Sequence, residues 1–353
     1  MLIVVIMLLF LTLFADDADR LYCLAARSEV YVRTDTEGCA DRGECGLCER
    51  NVSDSLLVMF WNMENFFDYT DSGGGSSDTD FSSRGSRRWT SRRFHAKCEA
   101  SAKAVFWVAD SFGRMPDIIG LCEIENRGVL RKWLDNTLLR KYSYDIVHYD
   151  SGDRRGIDVA LLYRKTSFRY MYSSRKVPEY EGKRIATRDI LQVCLQRLED
   201  GSLMHFIVNH HPSKFGGGAA SEGRRYAAME SLRQLCDSLA NVSAGNPIVA
   251  MGDFNDTPDA GQFSLIEGIM ENKSMALHEH GMGTIRFQGQ WNLIDMFLVS
   301  EDISGRCRME IVQVPFLMVW DNVFPGFKPF RTYSGPKYSG GVSDHCPIVL
   351  LVE

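Results

Sequence analysis

"MGDFNDTP", residues 251–258, gathers Asp253, Asn255, Asp256 and Thr257 at the end of an apolar run, "NPIVA" at 246–250. The run reads as a buried strand, so the polar groups sit where that strand leaves the core. Asn, Asp, Gly and Pro are ordinary turn residues, and a turn alone would satisfy the pattern. Five further stretches have the same character. "MFWNMENFFD" (59–68) presents Asn62 and Glu64, and "DIIGLCEIEN" (117–126) presents Glu123 and Glu125. "HFIVNHHPSK" (205–214) presents Asn209, His210 and His211, and "GGVSDHCPIVLLVE" (340–353) places Asp344 and His345 before the last strand. "WNLIDMFLVS" (291–300) sets Asp295 inside an apolar strand, where an acid rarely stays buried unless paired.

Taken singly, each stretch has a structural explanation: Asn62 caps a turn, Glu123 pairs with an arginine, His210 is a satisfied core histidine. Six such strand ends in one chain point to convergence on one site. The inventory is then carboxylates, Asp and Asn oxygens and two histidines, with no catalytic cysteine pattern. Hard oxygen ligands suit Mg²⁺ or Mn²⁺, with Ca²⁺ as an alternative, rather than zinc. Two imidazoles beside such an ion suit phosphoester hydrolysis, in which water is oriented and phosphoryl charge is stabilised.

The rest of the chain sets the frame. With 353 residues and 45% hydrophobic content, it can bury one large core. A net charge of −6 gives no global basic field, so any nucleic-acid contact must use local patches. Leu2 to Ala15 is an uncharged apolar run, short against the ~20 residues of a membrane span. It fits the apolar region of a secretory signal, residues 1–15, with a membrane anchor as the alternative. Residues 16–54 form a leader with Cys23, Cys39, Cys45 and Cys48, for which a disulfide is expected before a metal site. The six remaining cysteines lie in apolar stretches and read as small hydrophobes.

From residue 55 onward, apolar strands are expected at 56–61, 117–122, 157–163, 189–195, 203–209, 247–252, 292–299 and 346–352. Helices are expected at 97–110, 127–140 and 219–240. Several strands follow one another directly around 157–209, which suggests an α/β fold of sheets packed face to face with helices outside. Residues 71–80 are Gly/Ser-rich and read as a mobile loop. Residues 81–98 carry five Arg and one Lys around Trp89 and Phe94, and 322–340 interleaves Lys328, Arg331 and Lys337 with aromatics. Such mixtures suit a phosphate backbone and stacked bases. Rings plugging the edge of the core would give the same pattern.

"WNMENFF", "IGLCEIEN", "RGIDVALLYR", "NHHPS", "GDFND" and "SDHCP", in this order, resemble the deoxyribonuclease I-like endonuclease/exonuclease/phosphatase superfamily, and its bacterial secreted nuclease-like branch most. The resemblance covers residues 56–353 and implies a four-layer αββα sandwich of two mixed β-sheets, with the site at one end. It implies Glu123 as the principal metal carboxylate, Asn62 as a metal- or phosphate-proximal amide, and Asp344 beside them. Asp253 and Asn255 match the pair that orients water and phosphate. His345 matches a phosphate-contacting base or electrostatic stabiliser, and Asp295 the acid that holds its ring. His210 matches a phosphate ligand or general acid. Strand alternation turns only one of His210 and His211 inward, and His210 is favoured.

The leading expectation is a secreted, metal-dependent nuclease using activated water, with Arg87, Arg88, Arg92, Arg93 and Arg331 on the substrate. Nucleic acid is then the partner, and no stable membrane association is expected after signal cleavage. The first alternative is the same chemistry on a phospholipid, inositol phosphate or sugar phosphate, and the second a non-catalytic binding protein. Asp256 and Thr257 are expected to cap a following helix with Pro258 in its first turn.

Overall fold

The computed structural model describes residues 55–71, 75–185, 187–214, 218–243 and 245–353. The expected signal at 1–15 and the leader with its four cysteines lie outside the described residues.

Alternation of side chains explains the layering. In Leu56–Phe66 the odd residues Leu57, Met59 and Trp61 turn to one face and Val58 and Phe60 to the other. The first face meets two helices, Ser91–Phe112 and Arg127–Asn136, through Phe94, Val105 and Trp133. The second meets the other sheet. In Ile248–Asp253, Val249 and Met251 face that shared interior, while Ile248 and Ala250 pack on Met229, Leu232 and Cys236 of the long helix Gly218–Val242. Three apolar layers therefore separate four structural ones: helix, sheet, sheet, helix.

Each large sheet has six strands. The first runs Cys307–Ile311, Ile348–Val352, Leu56–Phe66, Ile118–Ile124, Asp158–Arg164, Tyr144–His148. The second runs Met270–Asn272, Asp295–Ser300, Ile248–Asp253, Leu203–His210, Ile190–Arg197, Phe168–Lys176. Both mix parallel and antiparallel pairs, as Leu56–Phe66 is parallel to Ile118–Ile124 and antiparallel to Ile348–Val352. A Cβ on Gly120 would stand 2.4 Å from the Met251 sulfur, so glycine lets that side chain cross between the sheets. A Cβ on Gly252 would sit 2.5 Å from the Asn209 carbonyl oxygen, fixing glycine one residue before Asp253.

The eight expected strands and three expected helices all exist, with shifted ends. The chain at 292–299 divides into Gln290–Asn292 and Asp295–Ser300, and 127–140 ends in a 3₁₀ turn at Leu138–Tyr142. Two expectations fail. No α-helix follows Pro258; a turn leads to a 3₁₀ helix at Gly261–Leu265, and Asp256 instead binds Arg225 at 3.0 Å and Lys214 at 2.7 Å. Within the Gly/Ser-rich stretch, Ser76–Asp80 forms a short helix with Asp78 buried; residues 72–74 lie outside the described residues. Among the described residues, no helix is long and apolar enough to cross a membrane.

Candidate active site

Register assembles the site. Asp253 lies directly opposite His210 on its parallel neighbour and opposite Asp295 on its antiparallel one. Residues paired across strands point to the same face, so His210, Asp253 and Asp295 form one row on the inner face of the second sheet. On the facing sheet, Asn62 pairs with Cys122, and Asn62 Nδ2 donates to Asp253 Oδ2 at 3.0 Å. The row and its counterpart close the inter-sheet core at one end.

Both strands of the facing sheet break their register there, between Asn62 and Phe66 and between Cys122 and Ile124. Glu64, Asn65 and Glu123 take φ of 45°, 52° and 59°, and Asn255 takes 52° at the corresponding end of the second sheet. Left-handed backbone at four non-glycine residues is costly and concentrates where side chains are re-aimed. The bulge lets Glu123 leave the alternating pattern. Its carboxylate accepts from Asn65 N at 2.8 Å and from the Arg155 guanidinium at 3.2 and 3.3 Å.

His345 arrives from the loop before the last strand. Its Nδ1 lies 2.8 Å from Asp295 Oδ2, and its Nε2 is 3.9 Å from both Asp253 Oδ2 and Asp344 Oδ1. Burial alone would pull the imidazole pKa down; Asp295, Asp253 and Asp344 outweigh it and push it up to about 10. Burial, then Asp295, raises Asp253, against hydrogen bonds from Asn255 N and Asn62. A row holding two carboxylates is tolerable because an imidazolium stands beside both.

His210 is the inward histidine. Its Nε2 is 3.6 Å from Asp253 Oδ2, and burial, then Arg188 and Arg155, hold it well below the usual range. His211 packs its ring against Phe254, 4.9 Å between centroids, with its carbonyl taking Asn255 Nδ2 at 3.0 Å and Arg188 at 2.7 Å. The Asn255 amide thus braces the 210–211 segment, while its backbone N–H donates to Asp253 Oδ1 at 2.9 Å.

Arg331 bridges Glu64 at 3.1 Å and Asp344 at 2.9 Å. Burial, then Asp344, raises the Glu64 pKa, and the buried Lys97 amine beneath donates to the Glu64 carbonyl and the Thr332 hydroxyl. Besides Arg331, which is paired with the Glu64 and Asp344 carboxylates, two of the expected substrate arginines have other work. Arg87 stacks 5.2 Å over Tyr333 and donates to the Gly335 carbonyl, and Arg93 stacks 4.3 Å over Tyr338 and donates to the carbonyls of Arg87 and Arg88. Both fasten the 81–93 loop to the Tyr333–Tyr338 hairpin. Arg88 and Arg92 are exposed. Trp89 and Phe94 are fully buried, so their rings fill the core edge and are closed to bases.

Arg155, Arg188, Lys97 and Asn65 join the site without being marked individually by the sequence. Each acts through a partner at least 20 residues away, and no local pattern announces such a pairing; only the "RGID" stretch marked Arg155.

The sequence model of the Endonuclease/Exonuclease/phosphatase family matches residues 57–353. The chain belongs to that family. Its members are phosphoester-hydrolysing enzymes, nucleases and phosphatases among them, and are generally dependent on a divalent metal. No curated protein matches the chain. Among solved structures, the human Nocturnin catalytic domain with bound sulfate is 15% identical over 85% of this chain and 94% of that one, with a TM-score of 0.52. A mannosyl-6-phosphatase from Bacteroides thetaiotaomicron is 15% identical over 84% and 100%, with a TM-score of 0.55. D. rerio TDP2 complexed with single-strand DNA product is 14% identical over 85% and 99%, with a TM-score of 0.50. At these identities the likeness is one of fold.

The donor set fits a hard cation. Glu123 and Asp344 supply carboxylate oxygens. The Asn62 carbonyl spends one lone pair on Glu64 N at 2.9 Å and keeps a second. Arg155 and Arg331 sit on Glu123 and Asp344, showing that both carboxylates draw positive charge.

Proposed function

We propose that the chain is a metal-dependent phosphodiesterase that cleaves nucleic acid with activated water, outside the cytoplasm. The His210–Asp253–Asp295 row, with His345 held on Asp295, carries this reading. Glu123, Asn62 and Asp344 would hold Mg²⁺ or Mn²⁺, with Ca²⁺ as an alternative, which would supply positive charge against the phosphoryl oxygens.

The chain's own groups divide the remaining work. Asp253, fixed by the Asn62 amide and the Asn255 backbone N–H, orients the attacking water and accepts its proton. His345 stays cationic against Asp295 and presents Nε2–H to a phosphoryl oxygen or the leaving group. His210 is kept neutral by burial, which suits a hydrogen bond to phosphate better than general acid catalysis. Exposed Arg88 and Arg92 lie on the loop fastened by Tyr333, two residues from Arg331.

A second reading, a phospholipid or sugar phosphate as substrate, has one observation of its own. Phe287, Trp320, Val323, Phe324 and Phe327 expose apolar surface on neighbouring hairpins, and Ile285 of one hairpin is bridged to His345. A panel of plasmid, single-stranded DNA, RNA, sphingomyelin and a phosphomonoester, each with Mg²⁺, Mn²⁺ and Ca²⁺, tests both. Preference for a polynucleotide supports the nuclease reading, and preference for a lipid or monoester overturns it. Full activity in EDTA overturns metal dependence itself.

A further inference from the structure

Six free cysteines are described, all buried, and only Cys122 shares a metal-capable cluster with histidine and carboxylate. It stands beside Asn62 in register, on the sheet that faces the catalytic row. One ligand atom each from Cys122, His210 and Asp253 lie within 4.8 Å of one another. We propose that these three side chains form a second cation site, suited to Zn²⁺ and other thiophilic ions, whose occupation switches the enzyme off. The inhibitory consequence rests on the reading of Asp253 and His210 as catalytic groups; the site itself does not.

The ligand chemistry separates this site from the hard-cation site next to it. Glu123, Asn62 and Asp344 offer only oxygen, which favours magnesium and manganese. Cys122, His210 and Asp253 offer sulfur, nitrogen and oxygen, a three-ligand set that leaves one tetrahedral position for water. The His210 Nδ1 has no hydrogen-bond partner among the described residues. On binding, the thiol proton passes to solvent and a Zn–S bond forms. Thiolate and carboxylate then balance the dication, so the buried site carries no net charge, and a buried charge without such a partner would be expensive. His210 Nε2 and Asp253 Oδ2 stand 3.6 Å apart, beyond hydrogen-bond reach, so a shared metal displaces no strong contact between them.

Occupation ties up the group that orients water and the imidazole that meets phosphate. Zinc is therefore an inhibitor that added Mg²⁺ fails to relieve fully, because the two ions have no ligand in common. The lone sulfur explains the selectivity: without it the site is an ordinary His–Asp pair.

The test uses the full chain and Cys122→Ser, with Cys122→Ala as a second variant and thermal unfolding to check that each folds. Co²⁺ titration of metal-free protein should give a thiolate-to-cobalt charge-transfer band. That band should be diminished in both variants and unchanged in a Cys45→Ser/Cys48→Ser control. With saturating Mg²⁺ and a small aryl phosphodiester, Zn²⁺ should inhibit the wild type. In Cys122→Ser the inhibition constant should rise by at least roughly tenfold, the lower end of what losing an outer-shell partner already costs a metal site. A cobalt band untouched by both variants overturns the site. A band that is lost while zinc inhibition stays the same overturns the inhibitory role alone; the catalytic reading of Asp253 and His210 is overturned separately, by unchanged turnover in Asp253→Asn and His210→Ala.

Discussion

His345 Nδ1 and Asp295 Oδ2, 50 residues apart in the chain, lie 2.8 Å from one another. Asp295 is 1% exposed and its other carboxylate oxygen has no hydrogen-bond partner among the described residues, so the imidazole is its main compensation. The sign of the pH dependence follows. His345 titrates near 10 in the fold and from 6.5 when unfolded, so the stabilisation from its proton is complete below 6.5 and is lost as pH rises through 10. Asp295→Asn should lower the melting temperature strongly at pH 6 and weakly above pH 10. It should also cut kcat by about 10²–10⁴-fold, the span of general acid–base contributions. Equal destabilisation at both pH values would mean a neutral imidazole in the fold.

Glu123→Gln should reduce turnover by orders of magnitude and raise the metal concentration needed for half-activation. It also strips Arg155 of a carboxylate partner. Arg155 is 40% exposed and can turn to water, so the stability loss should stay within about 1 kcal/mol. Denaturant unfolding and metal titration of the same preparation check the two parts separately. A variant that unfolds but keeps its metal response would make Glu123 a structural anchor.

Lys97 is buried and was unnoticed in the sequence, where it looked like one more member of a basic run. Its amine donates at 2.6 Å to the Glu64 carbonyl and at 2.9 Å to the Thr332 hydroxyl, joining the bulged strand to the loop that bears Arg331. Lys97→Met keeps the stem and orphans both acceptors, which should cost about 1–3 kcal/mol for each group left unsatisfied. Melting curves measure this, and an unchanged melting temperature would show that water replaces the amine.

Strand alternation and strand-end polarity made much of this fold readable, because both are local properties of the chain. Asp295 stood out as an acid between "NLI" and "MFLVS", and Asp253 as the polar end of "IVAMG". Pairings between distant loops were unreadable. Nothing near Arg87 or Arg93 shows that Tyr333 and Tyr338 lie under their guanidinium groups. Edge strands were missed for a related reason: Phe168–Lys176 is exposed along most of its length and lacks an apolar pattern. The helix expected after Pro258 failed because Asp256 spends its carboxylate on Arg225, a residue of another element.

Export is proposed from the uncharged run before "DDADR". Mass spectrometry of the protein from its native host should find a chain beginning near residue 16. An intact Met1 on soluble cytoplasmic protein would overturn export and leave the catalytic reading untouched.

The four loop arginines should separate into two pairs. Arg87 and Arg93 stack on Tyr333 and Tyr338, so Arg87→Ala/Arg93→Ala should loosen the loop, at about 0.5–1 kcal/mol for each lost cation–π contact. Melting temperature should fall, and hydrolysis of polynucleotide and small aryl diester should decline together, because the same hairpin leads to Arg331. Arg88 and Arg92 face solvent and can meet phosphates without disturbing the fold. Arg88→Ala/Arg92→Ala should leave the melting temperature and the aryl diester unchanged while raising KM for a polynucleotide. Each phosphate contact releases counterions, so its loss should also reduce the log–log salt slope on duplex DNA by roughly 0.9. KM measured across a salt series reads this directly. A salt slope identical to that of the wild type would remove Arg88 and Arg92 from the substrate path and, with them, the chief support for a nucleic-acid substrate over a lipid or sugar phosphate.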